Sequence, residues 1–149
     1  MWNYKRNAVL RLLTIILVVA MILPLTAGAT TVQPRASAYF SEYEAYISAV
    51  GNGKVQVRFS ANGTGYMDEL GLMRITLKES TNNSTWTTVK TFTQSGTPSL
   101  MGYNTDYHSG YVTYQGVAGR YYKAYVCFWS GDNGSGENRY FWTSVKQAT

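Results

Sequence analysis

The residues of this chain that could act as acid, base or nucleophile are few and scattered. Asp106 and His108 are two positions apart, so an extended backbone would point both to one side and the neighbouring Ser109 away. A Ser-His-Asp triad needs the base held between carboxylate and nucleophile. Cys127, the single cysteine, would need a partner base, and His108 is the only histidine. The sequence predicts a protein that is not an enzyme, with a small secreted hydrolase as the remaining alternative.

Residue types that bind metals are equally sparse. One histidine and one cysteine do not make a zinc site, which takes three or four ligands. Calcium takes oxygen ligands from mixed loops, and carboxylates occur in Asp68-Glu69 and between Asp132 and Glu137. Neither segment has the spacing of a known calcium loop, and Asp-Asn-Gly is ordinary turn sequence. We expect no metal and no cofactor, and calcium binding by these loops stays open.

Aromatic residues are the one excess of the chain after residue 29. Strand parity divides the segment 121–129 into alternating inner and outer positions. The inner positions are Tyr122, Ala124, Val126 and Phe128. Exposed aromatic patches usually mark contact surfaces, and flat ones suit sugar rings or partner proteins. We predict ligand binding by the outer rings of this strand and the next, which are Tyr121, Tyr125, Trp129, Tyr140 and Trp142. The alternative is that the connection 93–108 covers them.

Strands must position these rings, and the chain after residue 38 has strand-and-turn composition, rich in Thr, Ser, Gly, Tyr and Val. The strands predicted from alternation and turn signals are 39–50, 54–61, 73–78, 85–92, 111–115, 121–129 and 138–145. The inward residues of the first three are Tyr39, Tyr43, Ala45 and Ile47, then Val55, Val57, Phe59 and Ala61, then Met73, Ile75 and Leu77. Seven short strands with glycine-rich turns predict a single antiparallel β-sandwich.

The predicted connections are of three kinds. Gly51-Asn52-Gly53 is a hairpin turn, because Asn and Gly accept positive φ. The segments 62–71 and 93–108 are loops, the second of them unusually long. The segment 130–137 is a mobile tip between the last two strands.

Two segments resemble a known fold. Gly119-Arg120-Tyr121-Tyr122-Lys123-Ala124-Tyr125-Val126 resembles the entry to the sixth strand of fibronectin type III and related immunoglobulin-like domains, where a glycine precedes a corner tyrosine. Ile75 to Ser80 and Asn83 to Trp86 are similar to the third strand, turn and tryptophan of bacterial versions. The resemblance implies an immunoglobulin-like sandwich with Tyr122 as the corner residue. The chain departs from the pattern in having no tryptophan at the end of the second strand and no cysteine pair.

Short motifs along the whole chain after residue 38 carry a second resemblance. They are Tyr39-Phe40, Gly51-Asn52-Gly53-Lys54-Val55, Gly63-Thr64-Gly65-Tyr66-Met67-Asp68, Met101-Gly102-Tyr103-Asn104, and Ala118-Gly119 with Tyr122. On these residues the chain resembles small secreted proteins of gut Gram-positive bacteria, a family of unknown function. The resemblance implies secretion and brings no activity with it.

The first residues of the chain form three zones. Lys5, Arg6 and Arg11 make a positively charged start, and the segment 12–25 carries no charge. Ala27-Gly28-Ala29 has the small-x-small pattern of a signal peptidase site, so we predict cleavage after Ala29. A retained membrane anchor, the alternative, would need roughly 20 apolar residues. The predicted organisation is a signal helix at 1–29, a linker at 30–38 and the sandwich at 39–149.

Cleavage would also change the charge of the protein. The signal holds three of the thirteen basic residues and none of the eight acidic ones, so the net charge falls from +5 to +2. The remaining chain has no basic stripe, and neither a nucleic-acid partner nor a membrane is expected after cleavage.

Cys127 cannot form an intrachain disulfide and should be buried or half-buried in a strand. The sequence predicts a secreted, extracellular binding module for carbohydrate or cell-surface glycan, or alternatively for a protein or host surface.

Overall fold

The structure of the protein is a computed structural model that describes residues 37–149. The predicted signal helix and its cleavage site after Ala29 lie outside the described residues, as does most of the predicted linker 30–38. The described part is all-β, and its one helical segment is the 3-10 turn Pro98–Leu100. The strands are β1 (Phe40–Gly51), β2 (Lys54–Ser80), β3 (Thr87–Thr93), β4 (Met101–Gln115), β5 (Tyr121–Asp132), β6 (Ser135–Trp142) and β7 (Lys146–Gln147).

The seven strands form one antiparallel sheet that curls so that two parts of it face each other. In the first part, residues 54–62 of β2 lie between β1 and β4. In the second part, residues 67–80 of β2 pair with β5 on one side and with β4 and β3 on the other. β6 and β7 then pair with β5. The predicted all-β class is confirmed, and the fold is sandwich-like.

β2 joins two strands that the sequence predicts as separate, so the predicted loop over 62–71 is wrong. Pairing with β4 continues on both sides of a bulge, since Asn62 pairs with Tyr107 and Met67 with Thr105. A Cβ atom on Gly63 would lie 2.6 Å from the carbonyl oxygen of Gly65, so glycine permits the tight bend. The bend carries β2 from the first part of the sheet into the second.

The predicted connection 93–108 is also wrong, because most of it is strand. The chain reverses after β3, where the carbonyl oxygen of Thr93 accepts the N–H groups of Gly96 and Thr97. β4 then runs for 15 residues, and the predicted strand 111–115 is only its end. Among the residues of β4 only Met101 and Val112 are buried, so the strand lacks the apolar alternation that would reveal it.

Most of the predicted inward residues are buried. The predicted inner positions of the second strand are all in the core, as are Ile75 and Leu77 of the third. Met73 is instead 39% exposed, because the pairing of β2 with β5 shifts register between Leu72 and Arg74. In β1 the buried residues are Phe40, Tyr43 and Ile47, whereas Ala45 is half-buried, as is Tyr39 just before the strand.

Aromatic rings join the two parts of the sheet across the core. Phe128 of β5 is fully buried, and its ring centroid lies 5.3 Å from that of Tyr43 and 6.4 Å from that of Phe59. Phe40 meets the same ring edge-on at 6.3 Å, and Phe141 stacks on it at 5.8 Å. Aromatic pairs at such distances add attraction beyond the burial of their area. Phe128 is therefore the centre of the interface between the two parts.

Tyr122 is fully buried at the entry to β5. Its hydroxyl accepts the N–H of Val117 at 2.9 Å and donates to the carboxylate of Glu79, which also pairs with Arg120. A Cβ atom on Gly116 would lie 2.5 Å from this hydroxyl, so glycine allows the close approach. Burial first, and then the hydrogen bond to Glu79, raises the pKa of Tyr122 to about 12. The side chain ties β5 to β2 and to the loop before it.

The segment 130–137, predicted as a mobile tip, is a tight hairpin. β5 and β6 pair as far as Asp132 and Ser135, and Asn133 (φ 50°) with Gly134 (φ 76°) makes the turn between them. Two positive φ values are what a two-residue hairpin turn requires, and Asn-Gly adopts them readily. This hairpin sets the register between β5 and β6, and so decides which outer residues become neighbours.

Candidate functional site

Three of the predicted rings form one cluster on the outer side of β5 and β6. Tyr125 lies opposite Trp142 in the strand pairing, and Cys127 lies opposite Tyr140. The ring centroid of Tyr125 is 4.9 Å from that of Trp142 and 6.0 Å from that of Tyr140, on which it stacks at an interplanar angle of 16°. Tyr140 is 51% exposed and Trp142 43%, whereas Tyr125 between them is half-buried. We call Tyr125, Tyr140 and Trp142 the aromatic face.

Tyr121 and Trp129 have the outer parity that the sequence predicts but lie at opposite ends of β5. Tyr121 is half-buried at the first position, where its backbone pairs with Gln147 of β7. Trp129 is half-buried beside the hairpin, and a Cβ atom on Gly136 would lie 2.4 Å from its indole. The structure therefore brings together three of the five predicted rings and places the other two apart.

Lysine side chains lie over the exposed indole of the aromatic face. The Nζ atom of Lys123 is 4.8 Å from the ring centroid of Trp142 and 4.2 Å from that of Trp86. The Nζ atom of Lys78 is 5.7 Å from the centroid of Trp142. None of these three contacts is predicted from the sequence. Parity on β5 could have found Lys123, which has the outer position between Tyr121 and Tyr125. The contact of Lys78 depends on the pairing of β2 with β5, and that of Trp86 depends on where the segment before β3 lies, neither of which the sequence reveals.

Cys127 borders the aromatic face, and its predicted burial is confirmed. An open cleft of about 500 Å³ runs between β5 and β3, and Arg74, Cys127, Asn138 and Tyr140 contribute to its walls. The thiol of Cys127 lies 3.4 Å from the side-chain oxygen of Asn138, to which it donates. Burial raises the pKa of Cys127 above its ordinary value, so the thiol stays protonated at neutral pH. A protonated thiol is a poor nucleophile, so this environment does not activate Cys127.

Trp129 lines a second cleft, of about 460 Å³, to which Asp68 and Glu69 of β2 and Asp132 of β5 also contribute. Its indole N–H donates to Glu69 at 2.7 Å, and the backbone N–H of Asn133 donates to Asp68 at 2.9 Å. Glu137 forms an ion pair with Arg139 and does not line this cleft. Within residues 37–149, no group of three or more His, Cys, Asp or Glu side chains could hold a metal ion.

The residues that could have formed a triad do not converge. The Nε2 atom of His108 bonds the carbonyl oxygen of Ser99 at 3.0 Å, and its ring packs 5.6 Å from that of Phe59. Ser109 lies opposite Ser60 in the pairing of β4 with β2, and Asp106 is exposed where the register of this pairing shifts. These contacts give the histidine a packing role in the first part of the sheet.

The outer side of the first part carries an exposed surface that is not predicted from the sequence. Tyr46, Arg58 and Tyr111 lie side by side on β1, β2 and β4, and the guanidinium carbon of Arg58 is 5.5 Å from the ring centroid of Tyr111. They border a cleft of about 250 Å³ that Glu44 and Ser60 also line. The outward position of Arg58 follows from alternation, but its tyrosine neighbours follow only from the strand pairing.

Neither a membrane-spanning helix nor a similar known protein suggests a further role for the surfaces of the described residues. Within residues 37–149, no helix is long and apolar enough to cross a membrane. Comparison of the chain with protein-family models, with curated proteins and with solved structures finds no match.

Proposed function

We propose that this protein is a secreted, non-catalytic module that binds carbohydrate through the aromatic face. The observation that carries the proposal is the cluster of Tyr125, Tyr140 and Trp142, two of whose rings are exposed on an ordered strand pair. Large exposed rings that lie together usually mark a contact surface. Covering them would release water from apolar area, which favours binding.

The chemical character of the aromatic face suits a sugar ring. A pyranose has flat C–H faces that can lie on an aromatic ring and hydroxyl groups around its edge that need polar partners. The face offers rings in its centre and polar side chains beside them, among them Thr76, which pairs with Tyr125. The rings stand on paired strands, and sites on strands are held more precisely than sites on loops. Such a surface would select flat, ring-shaped ligands.

Trp142→Ala tests the proposal. We expect the variant to lose about 2 kcal/mol or more of glycan-binding free energy, because binding through exposed rings is concentrated in a few residues. Folding should change little, since the indole lies outside the core. A glycan array identifies the ligand, and titration calorimetry compares the two proteins. Tyr111→Ala, which removes an exposed ring from the first part, is the matched control. Equal affinities of Trp142→Ala and the wild type would contradict the proposal.

A second candidate function is interaction with a protein or host surface, and Tyr46, Arg58 and Tyr111 favour it. Tyrosine and arginine are enriched among the residues that carry protein-binding energy. These three lie in adjacent strands and surround a cleft. In this case Tyr111→Ala rather than Trp142→Ala would weaken binding, so the same pair of variants separates the two functions.

The finer identity of the fold belongs to the same proposal. We propose that the sandwich-like sheet is a variant of the immunoglobulin and fibronectin type III architecture, as the resemblance at 119–126 implies. The support is Tyr122, whose buried hydroxyl bonds the backbone of Val117 just upstream, as a corner tyrosine does. The continuous β2 is the main departure, since it serves both parts of the sheet.

Export from the cell is the last part of the proposal, and the signal-like sequence of residues 1–29 supports it. The protein recovered from the medium is expected to begin at Thr30, because Ala27 and Ala29 fit the small pockets of a signal peptidase. Intact-mass spectrometry checks this directly. A chain that retains residues 1–29 and fractionates with membranes would contradict it.

A further inference from the structure

Three cations lie on the same outer surface as the aromatic face. Lys78 of β2 lies directly opposite Lys123 of β5, and both side chains are half-buried. Arg74 is exposed in the row that contains Cys127 and Tyr140. Like charges directly opposite each other on antiparallel strands destabilise the pair. The fold therefore bears an unfavourable contact beside its exposed rings.

The acidic side chains do not neutralise these cations. The two ion pairs found within residues 37–149 use Arg120 and Arg139, whose partners Glu79 and Glu137 lie on the inner positions of their strands. Glu69 has outer parity but accepts the indole N–H of Trp129 at the far end of β5. In the described part of the chain, no carboxylate comes within 4.0 Å of the cationic groups of Lys78, Lys123 or Arg74.

We infer that the aromatic face takes an acidic polysaccharide whose sugar rings carry carboxylates, that is, a uronate polymer. This inference rests on the proposed carbohydrate function and narrows its ligand. A uronate ring lying on Trp142 would hold its carboxylate at the ring edge, and the Nζ atoms of Lys123 and Lys78 lie 4.8 Å and 5.7 Å from the centroid of that indole. The carboxylate would thus reach both ammonium groups and relieve their mutual repulsion.

The lysines also have the freedom that such binding needs. Their aliphatic stems can stay along the rings while the ammonium groups turn from the indole toward a ligand. A neutral polysaccharide would displace the ammonium groups from the indole without offering them a charge in return. The surface should therefore prefer the acidic polymer to a neutral polymer of the same sugar geometry.

The test compares polygalacturonate with the same polymer after reduction of its carboxyl groups, using protein purified from the medium and titration calorimetry. Each of Lys78→Gln and Lys123→Gln should weaken binding of polygalacturonate about ten-fold, as expected for a lost charge-assisted contact. Lys54→Gln, an exposed lysine at the start of β2 in the first part, should not. Raising the salt concentration should weaken wild-type binding of polygalacturonate.

The outcomes separate this inference from the proposed function. If the reduced polymer binds as tightly as polygalacturonate or more tightly, the inference of an acidic ligand is overturned and carbohydrate binding stands. Binding of neither polymer, together with an unresponsive glycan array, overturns both. Binding of anionic phospholipid vesicles with the same lysine dependence, and not of polygalacturonate, would overturn the inference in favour of a membrane surface.

Discussion

Phe128→Ala is expected to lower the free energy of unfolding by about 3–5 kcal/mol. The ring is fully buried and contacts rings from both parts of the sheet, so its removal leaves a cavity that neither part can fill alone. Since small domains are stable by only about 5–15 kcal/mol, the loss is a large fraction of the total stability. Urea denaturation followed by circular dichroism measures the change.

A matched control for this variant is Phe92→Ala. Phe92 of β3 is half-buried at the edge of the core, so its removal should cost clearly less than that of Phe128. Where Phe128→Ala is too unstable to measure, Phe128→Leu preserves part of the volume and should still be destabilised. Equal stability of Phe128→Leu and the wild type would show that the two parts of the sheet do not meet at this ring.

Tyr122→Phe is expected to lower the free energy of unfolding by about 1–3 kcal/mol, because it leaves buried hydrogen-bonding groups without partners. The N–H of Val117 loses its acceptor and Glu79 loses a donor, while the ring itself is retained. Urea denaturation at neutral pH measures the loss. Tyr111→Phe, at an exposed position, should leave the denaturation midpoint unchanged. An unchanged midpoint for Tyr122→Phe would remove the corner role.

The pH dependence of the same variant adds an independent check. The pKa of Tyr122 is raised from 10.0 to about 12 in the folded protein, so the folded state keeps this proton where the unfolded state has lost it. The stabilisation is fully present below pH 10 and is lost as the pH rises through about 12. The stability difference between the wild type and Tyr122→Phe should therefore shrink over this interval.

The parts of the fold that the sequence reveals are those with strict apolar alternation. Val55 to Ala61 alternates cleanly and is a strand with the predicted residues inward. The predicted inner residues of Tyr122 to Phe128 are also buried, although the outer positions Tyr125 and Cys127 are apolar as well. The first half of β4 was not predictable, because it is held by backbone pairing with β2 and buries almost nothing. The continuity of β2 has the same cause, since its bend is held by a partner strand distant in sequence.

The candidate site divides along a similar line. Parity places Tyr125 on the outer side of its strand and Tyr140 with Trp142 on one side of theirs, and the structure brings the three rings together. Parity gives the side of the strand on which a ring lies but not its distance from other rings. It therefore groups Trp129 with rings that Trp129 does not contact. Contacts such as that of Lys78 with Trp142 join residues of non-neighbouring strands, so they depend on registers that only the folded chain defines.

The bent β2 has a consequence for how this domain can be divided. One strand serves as an interior member of both parts of the sheet and pairs with β1, β3, β4 and β5. A cut at its bend would separate β1 and residues 54–62 from β4, which pairs with both segments of β2, and would leave each fragment with an exposed apolar face. The two parts are therefore not separable modules, and insertions or circular permutations that preserve the domain must fall in the turns outside β2.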